Sequence, residues 1–230
     1  MKHIVFIIGS LRKDSFNRQL AMVAESLLKD RFVISYLDFE NIPYFNQDLE
    51  SSIVNSQQST DNSQCSKSVS ESSSSSHHSE DGELEAGCRC FADSPVEAYG
   101  RMSLSIIRQQ ILDCDGIWVF TPEYNRSYPG LLKNLFDWLS RPMDISNLTN
   151  TTAVQGKKIT VSGAGGSNKT ASCREKLNEL LHFIKMDVMT EPQTGIALGK
   201  EAWTNGVFKL TDEQLSELKT QAERFVEFLG

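Results

Sequence analysis

No stretch of this sequence is apolar for long enough to cross a membrane, and the opening run His3–Ile8 is too short even for the apolar segment of a secretory signal. A soluble, cytoplasmic protein is therefore expected. Positive charge is scarce as well: 23 Lys and Arg face 30 Asp and Glu, and a net charge of −7 argues against nucleic acid or an anionic membrane as partner. Seven of those acids and two of the bases fall between residues 51 and 95, so about −2 remains for the rest of the chain. The five cysteines are odd in number and lack framework spacing, which excludes a disulfide scaffold and suits a reducing compartment. Cys65, His77, His78, Cys88 and Cys90 cluster in sequence, yet adjacent histidines and a Cys-x-Cys pair do not fit zinc-finger spacing, so no metal is expected. Also missing behind the first apolar run are the glycine-rich dinucleotide fingerprint and the Gly-Lys-Ser/Thr of a Walker loop.

The run itself and the residues behind it carry a different chemistry. Ile4–Ile8 is continuous, rich in β-branched residues and closed by Gly9, as a strand buried on both faces should be. Leu20, Val23, Ala24, Leu27 and Leu28 recur at helical spacing, and Phe32–Leu37 reads as a second strand. Between strand and helix, Ser10, Arg12, Ser15 and Asn17 crowd hydroxyls, a guanidinium and an amide onto a helix N-terminus, where free N–H groups and the dipole already favour an anion. With no glycine path for a pyrophosphate, the occupant to expect is a terminal phosphate monoester. Ser15 can serve as helix N-cap in the same place.

The second unusual stretch is Thr121–Arg141, behind the apolar strand Gly116–Phe120. Pro122 and Pro129 stiffen a loop carrying Glu123, Tyr124, Asn125 and Ser127, with Pro129 suited to the first turn of the following helix. A loop leaving the carboxyl end of a buried parallel strand is where open α/β sheets place ligands, so a planar, hydrogen-bonding ligand is expected here. The fourth strand, Lys158–Val161, runs into Ser162–Asn168, whose glycines let backbone press close to a flat surface while Ser162 adds a donor. Asp187–Met189 reads as the last strand. Helices are expected over Leu104–Ile111, over Leu131–Leu139, after a Ser172/Glu175 capping box, and after a Thr211/Gln214 capping box. Trp138 reads as core or subunit interface, and residues 190–209, with Trp203 and Phe208, carry no clear period. About half of residues 51–80 are serine, a composition that cannot offset its ordering entropy, so the segment 51–93 is expected to be a disordered insertion in one domain spanning 1–230. The whole is an α/β domain with a parallel sheet and helices on both faces.

GSLRKDSFNR after the first strand and PEYNRSYPGLLKN after the third together resemble the NADPH-dependent FMN reductase family, a flavodoxin-like group that includes azobenzene, quinone and chromate reductases. The resemblance implies a doubly wound five-stranded sheet of order 2-1-3-4-5 binding FMN. It assigns Ser10, Arg12, Ser15 and Asn17 to the phosphate, and Pro122, Glu123, Tyr124 and Asn125 to the ribityl chain and isoalloxazine. It also places Ser162, Gly163, Gly165 and Gly166 near the ring. The implied activity moves a hydride from NADPH or NADH through FMN to a small acceptor such as a quinone, an azo compound or free flavin, with no catalytic side chain. No second domain stands ready to hold a dinucleotide, so both substrates should use one face in ping-pong order. A homodimer or homotetramer is implied too. Two other readings stay open: an FMN-binding electron carrier acting on protein partners, and a flavin-free scaffold using the serine-rich segment.

Overall fold

The computed structural model describes residues 1–50, 95–144 and 151–230, so the serine-rich segment 51–93 lies outside the described residues. Within them, β1 (Lys2–Ile8), β2 (Phe32–Tyr36), β3 (Gly116–Phe120), β4 (Lys158–Gly165) and β5 (Asp187–Met189) pair in the order β2-β1-β3-β4-β5, every pair parallel. The helices are α1 (Phe16–Leu28), α2 (Pro95–Asp113), α3 (Gly130–Leu139), α4 (Ala171–Phe183), the short α5 (Lys200–Asn205) and α6 (Asp212–Leu229), and a 3₁₀ turn spans Gln47–Leu49. This is the flavodoxin-like doubly wound sheet.

Because side chains alternate along a strand, an uninterrupted apolar run serves two cores at once. Val5, Ile7, Ile117 and Val119 face one layer with Leu104, Ile107, Leu135, Trp138, Leu177 and Leu181, drawn from α2, α3 and α4. Ile4, Phe6, Trp118 and Phe120 face the other with Leu20, Ala24, Leu218 and Phe225, drawn from α1 and α6. On that second face Trp118 stacks on Phe120 at 5.3 Å, and Phe6 meets both rings. Trp138 belongs wholly to the interior of the chain, which removes it as an interface residue.

Two expectations are corrected. β4 does not end at Val161: it continues through Gly165, because a sixth strand, β6 (Gly195–Ala197), pairs with Gly163–Gly165 beyond the point where β5 stops. Ser162 and Gly163 are thus strand interior, Gly165 is the buried last residue of the strand, and of the four only Gly166, just beyond it, is exposed. The Ser172/Glu175 capping box is not formed either. Thr170, at a left-handed φ of 58°, is the N-cap of α4, and Ser172 accepts from Asn168 instead. The Thr211/Gln214 box is present in full, and Pro129 sits one residue earlier than expected, as the N-cap of α3.

Candidate functional site

The segments after β1, β3 and β4 leave the same carboxyl edge, with β1 between β2 and β3. Gly9 N–H donates to the Phe120 carbonyl and Thr121 N–H to the Ser162 carbonyl, so the first two loops start from one rigid rim. From there residues 10–15 lead to the α1 N-terminus. Ser10 and Ser15 are buried, Ser15 to 2% exposure, yet the Ser15 hydroxyl makes no capping bond. Among the described residues no protein acceptor takes the N–H groups of Leu11, Lys13 or Asp14, while that of Arg12 reaches Ser10 Oγ at a long 3.4 Å. The Arg12 guanidinium lies over the Phe16 ring, 5.4 Å from its centroid, and so stands at the start of α1. Donors without acceptors, one cation and a helix dipole together make an anion nest, and the donor set fits a phosphate monoester.

Beside the nest opens a cleft of about 530 Å³, lined by Ser10, Leu11 and Arg12 from the first loop, by Glu40, Ile42 and Tyr44 from the segment after β2, and by Tyr124, Leu131 and Asn134. Its walls are apolar and aromatic with a few polar groups, the composition that suits a flat ring system. Tyr124 stands on a two-residue turn: Tyr124 and Ser127 exchange both backbone bonds at 3.0 Å, and Asn125 and Arg126 take φ of 52° and 58°. Those angles belong to the tight hairpin turn that Asn tolerates well and Arg poorly.

The residues expected in the site divide into two groups. Ser10, Arg12, Ser15 and Tyr124 converge on the nest and cleft, with Asn125 exposed on the adjoining turn. The others brace it. Glu123 turns away to accept from Asn168 Nδ2 at 3.1 Å and from the Cys173 backbone N–H at 3.0 Å, which ties the loop to the first turn of α4 and satisfies a free helix donor. Pro122 is buried, its carbonyl accepting from Thr121. Asn17 spends its side chain on Ala164, donating to the carbonyl at 3.1 Å and accepting from the N–H at 2.8 Å, rather than facing the nest. Ser162 accepts from Trp118 Nε1 and donates to Gln221 deep in the sheet. Cys173, behind Glu123, is fully buried and its thiol is pushed up to about 11 by that burial, so it supplies no thiolate near neutral pH.

Glu40, Ile42, Tyr44, Leu131 and Asn134 were missed as cleft residues. A signal existed for Asn134: a polar residue on the apolar stripe of Leu131, Leu135 and Trp138. A larger cleft of about 1010 Å³ runs along the β5–β6 edge, but its cations Lys169, Arg174 and Arg224 are matched by Glu191, Glu217 and Glu227, and it holds none of the convergent loop residues.

The sequence matches the family described as NADPH-dependent FMN reductase over residues 2–73 and 77–201, which includes both ligand loops. It is 29% identical over 191 residues to a 2-hydroxy-1,4-benzoquinone reductase of Burkholderia sp, covering 83% of this chain and 75% of that one. A quinone reductase of Pseudomonas putida is 25% identical, with 98% and 94% covered. Among solved structures, FerB, a flavoenzyme NAD(P)H:(acceptor) oxidoreductase from Paracoccus denitrificans, aligns with a TM-score of 0.67 at 26% identity over 100% of this chain and 97% of that one. A match across both loops, on a sheet whose strand order the same family predicts, leads to one conclusion: the chain belongs to the NADPH-dependent FMN reductase family.

Proposed function

We propose that this protein is an FMN-dependent oxidoreductase that takes reducing equivalents from NADPH or NADH and delivers them to a small planar acceptor, a quinone first, with azo compounds or free flavin as further candidates. The observation that carries the reading is the acceptor-free donor nest at α1 opening directly into the aromatic cleft. Bound FMN would supply the hydride chemistry, which no side chain in the cleft is equipped to perform. Ser10, Ser15, Arg12 and the free N–H groups of the first loop would hold the phosphate. Ile42, Leu131 and Tyr124 would give the ring system apolar and aromatic walls and exclude water from one side of it. Among the residues lining the cleft only Arg12 and Glu40 are charged, and such a balanced rim suits a small neutral acceptor better than a cationic protein partner.

Arg12→Ala should weaken FMN binding by roughly 1.5–3 kcal/mol, the range of a hydrogen bond to a charged group. Titration of the apoprotein with FMN checks this, and unchanged affinity would remove Arg12 from the site. The cleft offers one open face to both substrates, so catalysis should be ping-pong. Initial rates against NADPH at several fixed quinone concentrations should then give parallel double-reciprocal lines, whereas intersecting lines would require a ternary complex.

Residues 1–230 are proposed as a single flavin-binding domain, with 51–93 inserted in it and not needed to hold the ligand. A cytoplasmic homodimer is the assembly we favour; Trp203, 60% exposed on α5, supports it now that Trp138 is accounted for by the core. Light scattering should give twice the chain mass at micromolar concentration, and a monomer mass with full activity would count against the dimer.

A further inference from the structure

Tyr44 is 87% exposed, an unusual position for a tyrosine flanked by Pro43 and Phe45. Its neighbours are not loose. Asn134, buried in α3, donates from Nδ2 to the Pro43 carbonyl at 3.0 Å and accepts from the Phe45 N–H at 2.7 Å. Trp138 Nε1 donates to the same Pro43 carbonyl at 2.8 Å. The Phe45 ring then packs edge-on to Trp138 at 4.9 Å, with the Arg141 guanidinium 5.8 Å from its centroid. The backbone on both sides of Tyr44 is therefore pinned to α3 by buried side chains, and the ring between the two pins is held outward.

A single exposed tyrosine needs no explanation; this one lines the same cleft as Tyr124, itself 51% exposed and fixed by the two-residue turn after β3. The two rings reach the cleft from different segments, one after β2 and one after β3, each on a backbone that hydrogen bonds prevent from wandering. An aromatic side chain carries large contact area with few torsions to freeze, so two rings on fixed backbone cost little entropy when a flat ring arrives. What both rings share is flat apolar area, with the phenol hydroxyl as the one polar group of each side chain.

We propose that Tyr44 is a specificity-determining residue of the acceptor site, where its ring, with that of Tyr124, gives planar substrates a stacking surface that non-planar oxidants cannot use. Asn134 holds the backbone on either side of Tyr44. The inference rests on the flavoenzyme reading for its meaning, but the binding it predicts belongs to the chain itself.

The test is calorimetric titration of the purified protein with 1,4-naphthoquinone, for the wild type, Tyr44→Ala and Tyr44→Phe, with flavin content read from the absorbance of the same samples. Tyr44 lies on the surface, so neither variant endangers the fold. Tyr44→Ala should raise Kd at least about fivefold and Tyr44→Phe should stay within about twofold, as expected for ring contact rather than a hydroxyl bond. In flavin-loaded samples reduced beforehand, the ratio of reoxidation rates by naphthoquinone and by ferricyanide should fall by a similar factor in Tyr44→Ala alone. Unchanged naphthoquinone affinity in Tyr44→Ala would overturn the proposal, and so would an equal loss in Tyr44→Phe. Failure of the flavoenzyme reading would look different: no flavin in any sample, wild type included, with the naphthoquinone affinities still deciding the role of Tyr44.

Discussion

Gly163→Ala should destabilise the protein by roughly 3 kcal/mol or more, at the upper end for overpacking a well-filled interior. A Cβ built at Gly163 would lie 2.3 Å from Thr170 Oγ1 and 2.5 Å from the Thr121 carbonyl oxygen. Neither neighbour can yield cheaply. Thr170 is buried, holds a left-handed φ and caps α4, while Thr121 is fixed in the sheet rim through its N–H bond to the Ser162 carbonyl. The close approach is what lets the segment after β4 fold back over the strand and deliver Asn168 to Glu123. Thermal unfolding should show a drop of about 6–12 °C, taking roughly 2–4 °C per kcal/mol at this chain length. A Gly163→Ala protein within about 1 kcal/mol of wild type would mean that Thr170 can relocate, and that the brace is softer than its geometry implies.

Asn17→Ala should cost about 2–6 kcal/mol, because it strands both the N–H and the carbonyl of Ala164 in a buried position, at roughly 1–3 kcal/mol for each unsatisfied group. Asn17 sits in the first turn of α1, beside the nest, and joins that turn to the end of β4. Its replacement should therefore lower stability and FMN affinity together. Urea unfolding and FMN titration on one preparation separate the two roles the residue could play. Loss of stability with a proportionate loss of affinity marks a brace. Weakened FMN binding at unchanged stability would instead make Asn17 a direct phosphate donor, as the family resemblance implied, and would contradict the cross-link seen here.

These two positions also show where the sequence was legible and where it was not. Ile4–Ile8 and Gly116–Phe120 announce buried strands because alternate residues feed two apolar layers, a local property of the chain. The Thr211/Gln214 cap was legible for the same reason: every atom of the motif lies within one turn. The glycine-rich segment misled because Gly-rich sequence after a strand normally means a turn. Here the glycines serve close packing inside a longer strand, and that strand exists only because β6 returns to pair with it, a non-local event that Gly195–Ala197 does not advertise. That Ser10, Arg12 and Ser15 would stand together at the start of α1 was legible because they lie within six residues of one another. For Asn17 and Glu123, nothing local could show that their partners would be Ala164, Asn168 and Cys173, about 45–150 residues away. The wall formed by Ile42 and Tyr44 was hidden differently: it depends on Asn134 reaching back across the fold to hold Pro43 and Phe45.

We expect the α1 nest and the adjoining cleft to hold one FMN per chain. The most direct measurement is the visible absorbance of the purified full-length protein, followed by chromatography of the material released on denaturation and by anaerobic addition of NADPH or NADH. The expected result is an oxidised-flavin spectrum, release of FMN rather than FAD at one per chain after saturation, and bleaching by the reduced nicotinamide. A colourless protein that takes up no FMN on titration would contradict it.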